Sequence, residues 1–122
     1  MKNRINEKFH DLSKLDKSAF VAYLCAGDPS YHKSLDSMHA LANAGADIIE
    51  VGIPFSDPLA DGIVNQMAAA RALNAGMDVK KTLELIGDFR KNSNTPIVIF
   101  TYLNPIYNYG FEKFHEDASS AG

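Results

Sequence analysis

D-I-I-E-V-G-I-P-F-S-D-P-L-A-D-G, residues Asp47 to Gly62, is the stretch that decides how the rest of this chain is read. Its first half is a short apolar run dense in β-branched Ile48, Ile49 and Val51, interrupted by one carboxylate, Glu50. Such a run predicts a strand buried on both faces, the kind found in parallel sheets. Side chains alternate along a strand, so Ile49 and Val51 share one face while Ile48, Glu50 and Gly52 share the other. Glu50 therefore lies near the C-terminal end of a buried strand. Burying a carboxylate without partners costs roughly a few kcal/mol and tends to raise its pKa. Either a distant Arg or Lys pairs with it, or the chain has a use for the acid.

The second half is a loop stiffened by Pro54 and Pro58, which fix φ at two places. It carries two more carboxylates, Asp57 and Asp61, and closes on Gly62. A second carboxylate on a loop leaving a buried acid's strand is what acid–base chemistry needs, because two environments can push two pKa values apart. Asp61 also has a plainer reading: Asp-Gly before a helical stretch is an ordinary N-cap. Sequence alone leaves both open.

Outward from this stretch, strands and helices alternate. Ile5, Phe9, Leu12 and Leu15 recur at helical intervals and predict a short amphipathic helix over one end of the sheet. Phe20 to Cys25 is the first strand. The turn Gly27-Asp28-Pro29-Ser30 opens a helix with Asp28 or Ser30 as its cap, Leu35, Met38, Leu41 and Ala42 as its inner stripe, and Gly45 as its stop. After the proline loop come a helix over Ile63 to Asn74, ending at Gly76, and another capped by Asp78 with Val79, Thr82, Leu83, Ile86 and Phe89 on one side. The third strand is Pro96 to Tyr102. A polar and aromatic loop, Leu103 to Gly110, leads to a last helix with Phe111, Phe114 and Ala118, stopped at Ala121-Gly122. With no hairpin signal, this order means an α/β fold of parallel strands joined by right-handed crossovers.

The chain has 122 residues, enough for one modest domain. A formal charge of −3, with no cluster of Lys or Arg, argues against a nucleic-acid surface. The single cysteine, Cys25, excludes an intramolecular disulfide and reads as a small buried hydrophobe. The charged amino terminus lacks the apolar core of a signal peptide, and no apolar run approaches the ~20 residues that cross a membrane. A cytoplasmic setting is expected. The four histidines, His10, His32, His39 and His115, show no i, i+4 pairing, which argues against a metal site.

The motif I-E-V-G-I-P-F-S-D-P-L-A-D-G, Ile49 to Gly62, resembles that of the tryptophan synthase α subunit family, whose members are indole-3-glycerol-phosphate lyases. F-V-A-Y-L-C-A-G-D-P, Phe20 to Pro29, is similar to the family's first strand and turn, and T-P-I-V-I-F-T-Y-L-N-P-I, Thr95 to Ile106, to its third strand and following loop. The similarity runs in order from about Phe9 onward. It implies a partial (β/α)8 barrel of roughly three βα units, with residues 1–122 as one domain forming the N-terminal portion. A closed barrel takes about 250 residues. Three parallel strands would leave two apolar edges with unpaired backbone groups, so the chain is expected to be incomplete or to associate with copies of itself.

The resemblance assigns Glu50 and Asp61 as the catalytic pair for cleavage of indole-3-glycerol phosphate to indole and glyceraldehyde 3-phosphate, with no metal and no organic cofactor. It places Tyr23, Phe100 and Tyr102 against the indole ring. Phe100 and Tyr102 are two apart and share a strand face, and ordinary barrel filling is the alternative for each. Asp57, Pro58, Asn104 and Pro105 match loops that meet the pyridoxal-phosphate-dependent β subunit, although Asp-Pro and Asn-Pro are also common turn formers. The family's phosphate loops follow later strands and have no counterpart among these residues. Ile63 and Ala22 stand where the family often has proline, and Asn65 where an apolar residue is expected. Rival readings are a non-catalytic half-barrel that binds the β subunit or itself, and a different phosphate-binding barrel enzyme.

Overall fold

A computed structural model of the chain describes residues 3–122. Three strands, β1 (Val21–Cys25), β2 (Ile48–Gly52) and β3 (Ile97–Phe100), form one sheet in the order β1-β2-β3, and both pairings are parallel. Helix α1 (Arg4–Lys14) precedes β1, and α2 (Tyr31–Asn43) links β1 to β2. Two helices, α3 (Ile63–Asn74) and α4 (Val79–Arg90), lie between β2 and β3, and α5 (Leu103–Tyr109) and α6 (Phe111–Ala121) follow.

Most of the core forms on one side of the sheet. Ile49 and Val51 of β2 are sealed in a cluster with Met38 of α2 and Leu85, Ile86 and Phe89 of α4. On the opposite side, Val21 of β1 is 43% exposed and Phe100 of β3 52%. The expectation of strands covered on both faces therefore holds for Ile48, Gly52 and Cys25 but not for Val21, Tyr23 or Phe100, which are exposed on this side. Glu50 is half-buried rather than enclosed.

Caps follow local chemistry. Ser30 accepts from the Lys33 N–H at 3.3 Å and caps α2, while Asp78 accepts from Lys81 N–H at 2.8 Å and caps α4. Lys8 reaches Asp47 at 3.6 Å, and Asp47 also accepts from the Phe20 N–H at 2.8 Å, which sets α1 at the N-terminal end of the strands. On the flank, the Tyr31 hydroxyl donates to Asp88 at 2.6 Å and joins α2 to α4.

Two elements depart from the expected boundaries. β3 ends at Phe100, two residues short of Tyr102, and the expected loop from Leu103 is the helix α5. Pro105 sits in its first turn, where backbone N–H groups have no intrahelical partner to lose, so Asn-Pro begins a helix here instead of preventing one. Gly110, at φ 97°, separates α5 from α6 with a backbone conformation that glycine adopts without strain.

The asymmetry of the core predicts two different costs. Phe89→Ala should remove about 3–5 kcal/mol of stability, whereas Phe100→Ala should cost less than about 1 kcal/mol, both read from urea denaturation midpoints.

Candidate active site

The open face of the sheet carries two cross-strand rows. Register pairs Tyr23 with Glu50 and Glu50 with Val98, and one step on, Cys25 with Gly52 and Gly52 with Phe100. Partners in a parallel register point to the same face, so Tyr23, Glu50 and Phe100 share it. The Tyr23 and Phe100 rings meet edge to face, with centroids 6.0 Å apart. Tyr23 leans across the strand until its hydroxyl overlies Gly52, where an added Cβ would collide with that oxygen. Gly52 is thus a close-approach glycine: the ring occupies the space of a side chain.

The loop after β2 is pinned from two directions. The Ala60 N–H donates to the Tyr102 hydroxyl at 2.9 Å, and the Phe55 and Tyr102 rings lie 5.3 Å apart. Gln66 of α3 donates its side-chain amide to the Asp61 carbonyl at 2.8 Å, and the Asp61 N–H donates to the Pro58 carbonyl at 3.0 Å. Asp61 does not cap α3, since the N-cap is Gly62 and receives no side-chain bond. Its carboxylate is therefore free of the helix. Tyr102 does not extend β3 beside Phe100 as expected from the spacing; it stands past the strand end, at the start of α5, and serves the loop.

The electrostatics of the face are read most directly at Tyr23. Burial pushes its phenol up to about 12, and the neighbouring Cys25, Asp61, Glu50 and Tyr102 push in the same direction. Burial likewise lifts the Cys25 thiol to about 11, with Asp28 and Asp61 adding to it and Arg71 opposing. Glu50 and Asp61 both favour the protonated form of this one phenol.

Of the residues expected to meet a partner, Asp57 and Asn104 are exposed and Pro58 is half-buried. Pro105 is buried in α5, where it lines a cleft with Asp78, Val79 and Tyr109. Sequence reading missed Arg71. Its guanidinium holds Asp28 bidentately at 2.7 and 2.9 Å and fastens the turn after β1 to α3. Asp28 is committed to this pair, leaving the capping of α2 to Ser30. Asn65, unexpected in an apolar position, lines a cavity of about 210 Å³ beside this pair.

The family model for the tryptophan synthase alpha chain matches residues 9–122. The chain belongs to this family. Its fold is superimposable on that of tryptophan synthase subunit alpha from Legionella pneumophila str. Paris, with TM-score 0.97 and 38% identity, over 100% of this chain and 47% of that one. A structure of tryptophan synthase from M. tuberculosis, in an aminoacrylate- and BRD0059-bound form, matches with TM-score 0.93 and 34% identity, over 100% of this chain and 49% of that one. A mutant tryptophan synthase alpha-subunit from the hyperthermophile Pyrococcus furiosus is 42% identical with TM-score 0.81, over 85% of this chain and 42% of that one. The chain spans about half the length of these relatives and corresponds to the first three βα units of a (β/α)8 barrel. Among its described residues, no helix is long and apolar enough to cross a membrane.

The Tyr102 hydroxyl gives this tryptophan synthase alpha-family loop a testable weak point. Tyr102→Phe should speed amide hydrogen exchange at Ala60 and Asp61 by about 2- to 10-fold, as expected for the loss of one hydrogen bond, while leaving the β2 amides unchanged.

Proposed function

We propose that this chain carries the acid–base half of an indole-3-glycerol-phosphate lyase site, cleaving that substrate to indole and glyceraldehyde 3-phosphate. The observation that supports the reading is that two carboxylates, Glu50 and Asp61, both act on the Tyr23 phenol at one end of the sheet. Glu50 is half-buried on the open face of β2, and Asp61, uncapped, is held on a loop pinned by Tyr102 and Gln66. Tyr23, paired with Glu50, and Phe100, paired with Gly52, put two edge-to-face aromatic rings on the same face as Glu50, apolar surface suited to an indole ring. Residues 1–122 act in this reading as one domain, the N-terminal portion of the barrel, in a cytoplasmic setting.

The chemistry follows from these positions. Cleavage requires a proton on the indole carbon that bears the glycerol chain, and removal of a proton from the hydroxyl on the adjacent chain carbon. The carbon–carbon bond then breaks, its electrons return to the indole ring, and the hydroxyl carbon becomes the aldehyde. Glu50, protonated, supplies the first proton and, once ionised, takes the second. Asp61 accepts a hydrogen bond from the indole N–H and offsets the positive charge that develops there. Proton and electron counts close without a metal or organic cofactor. Asp57, Pro58 and Asn104 form the surface by which the chain would meet a tryptophan synthase β subunit.

A second reading has its own support. Leu59 is 90% exposed and Val64 73%, and together with the open sheet face they suit a non-catalytic half-barrel that binds the β subunit or a second copy of itself.

Indole release from indole-3-glycerol phosphate, measured with and without the β subunit, separates the two. The lyase reading expects turnover that Glu50→Gln and Asp61→Asn each lower by about 10²- to 10⁴-fold. Turnover that survives both substitutions, or no turnover beside stable β-subunit binding, would favour the binding module.

A further inference from the structure

Gln66 grips two successive carbonyls at the point where the loop after β2 becomes α3. Its main-chain N–H donates to the Gly62 carbonyl at 3.0 Å, and its side-chain Nε2 donates to the Asp61 carbonyl at 2.8 Å. The first bond is the one any helix gives to its N-cap residue, here Gly62. The second is extra. Asp61 lies one residue outside the helix, and the hydrogen-bond ladder of α3 begins at the Gly62 carbonyl, so the side chain of Gln66 makes a bond that helix formation does not require.

That bond completes a restraint on Asp61. The Asp61 N–H donates to the Pro58 carbonyl at 3.0 Å, so the peptide plane before its Cα is tied to the loop and the plane after it is tied to α3. Peptide units are planar, and φ and ψ are the only soft angles between them. Holding both planes therefore sets the direction of the Asp61 Cα–Cβ bond. Gly62 gives no such help, because it lacks a side chain that could cap α3 and glycine is the most permissive residue of the backbone. Asp61 and Gln66 are both half-buried, which shields their bond from competing water.

We propose that Gln66 is a positioning residue: by holding the Asp61 carbonyl it fixes the direction in which the Asp61 carboxylate leaves the loop. The role rests on Asp61 as the second carboxylate of the proposed lyase site, whereas the restraint itself does not depend on turnover. A carboxylate that receives an indole N–H must already point the right way, since a misplacement of about 1 Å can cost about 10²-fold in rate. The contact is also chemically one-sided. A carbonyl only accepts, so it must meet the amide nitrogen of Gln66, and a glutamate of the same length would set oxygen against oxygen.

The test uses two variants of nearly equal length: Gln66→Met, which removes the donor, and Gln66→Glu, which replaces it with an acceptor. In ¹⁵N relaxation of the full chain, the Asp61 and Gly62 amides should have order parameters of about 0.85 in the parent and fall toward about 0.6 in both variants. The amides of β2 and of Ala68, Ala69 and Ala72 in α3 should stay as they are. In indole release from indole-3-glycerol phosphate, each variant should lower kcat by about 10-fold or more and move KM by less than about 2-fold. Neither variant should lower kcat further in an Asp61→Asn background, where there is no carboxylate to position. Order parameters unchanged at Asp61 and Gly62, or a loosening spread through the whole of α3, overturns the proposal. So does a kcat loss as large in Asp61→Asn as in the parent. A parent chain without turnover counts against the lyase reading and leaves the order parameters to decide whether Gln66 fixes Asp61.

Discussion

Ile49 and Val51, sealed against α2 and α4, fix which way β2 faces, and that constraint governs the rest of the molecule. Strand side chains alternate with a period of two, so burying these residues leaves Glu50 no direction but the opposite face. A slip of one residue would place a carboxylate in the core and two branched side chains in solvent. Burial of each branched side chain is worth about 1.5–3 kcal/mol, so the wrong register is excluded by energy as well as by geometry. Glu50 owes its place to its neighbours.

The loop that follows is organised by contacts of a different kind. Buried Ile53 and Pro54 anchor its start, whereas Leu59 and Ile63 at its far end are exposed. That far end relies on Pro58, on the Ala60 N–H donated to the Tyr102 hydroxyl and on the bond from Gln66, each modest alone. The strand bearing one carboxylate is thus held by packing, and the loop bearing the other chiefly by hydrogen bonds.

Much of this was legible in the residues. The parity of Ile48 to Gly52 gave the face of Glu50, and Asp78 was readable as a cap because its bond is local. Features that depend on distant partners were not. Asp28 could not be told from Ser30 as the cap of α2, since its guanidinium partner, Arg71, is 43 residues away. Asn-Pro at Asn104 and Pro105 reads as a turn, and only the position of the proline within the first helical turn makes α5 possible. Apolar, β-branched strands announced that they would be buried, but not by what, and the open side of the sheet differs for that reason. Tyr102 was placed on a strand face by spacing, whereas its hydroxyl bond to Ala60 is a tertiary contact that spacing does not encode.

The Asp28–Arg71 fork has a mechanical corollary. It clamps the β1 turn to α3, while the Tyr102 hydroxyl clamps the far end of β3 to Ala60. The segment between β2 and α3 is consequently slung between the two outer strands like a span on two abutments. Asp61 is thereby tied to both outer strands as well as to the strand that carries Glu50, from which its loop departs at Gly52.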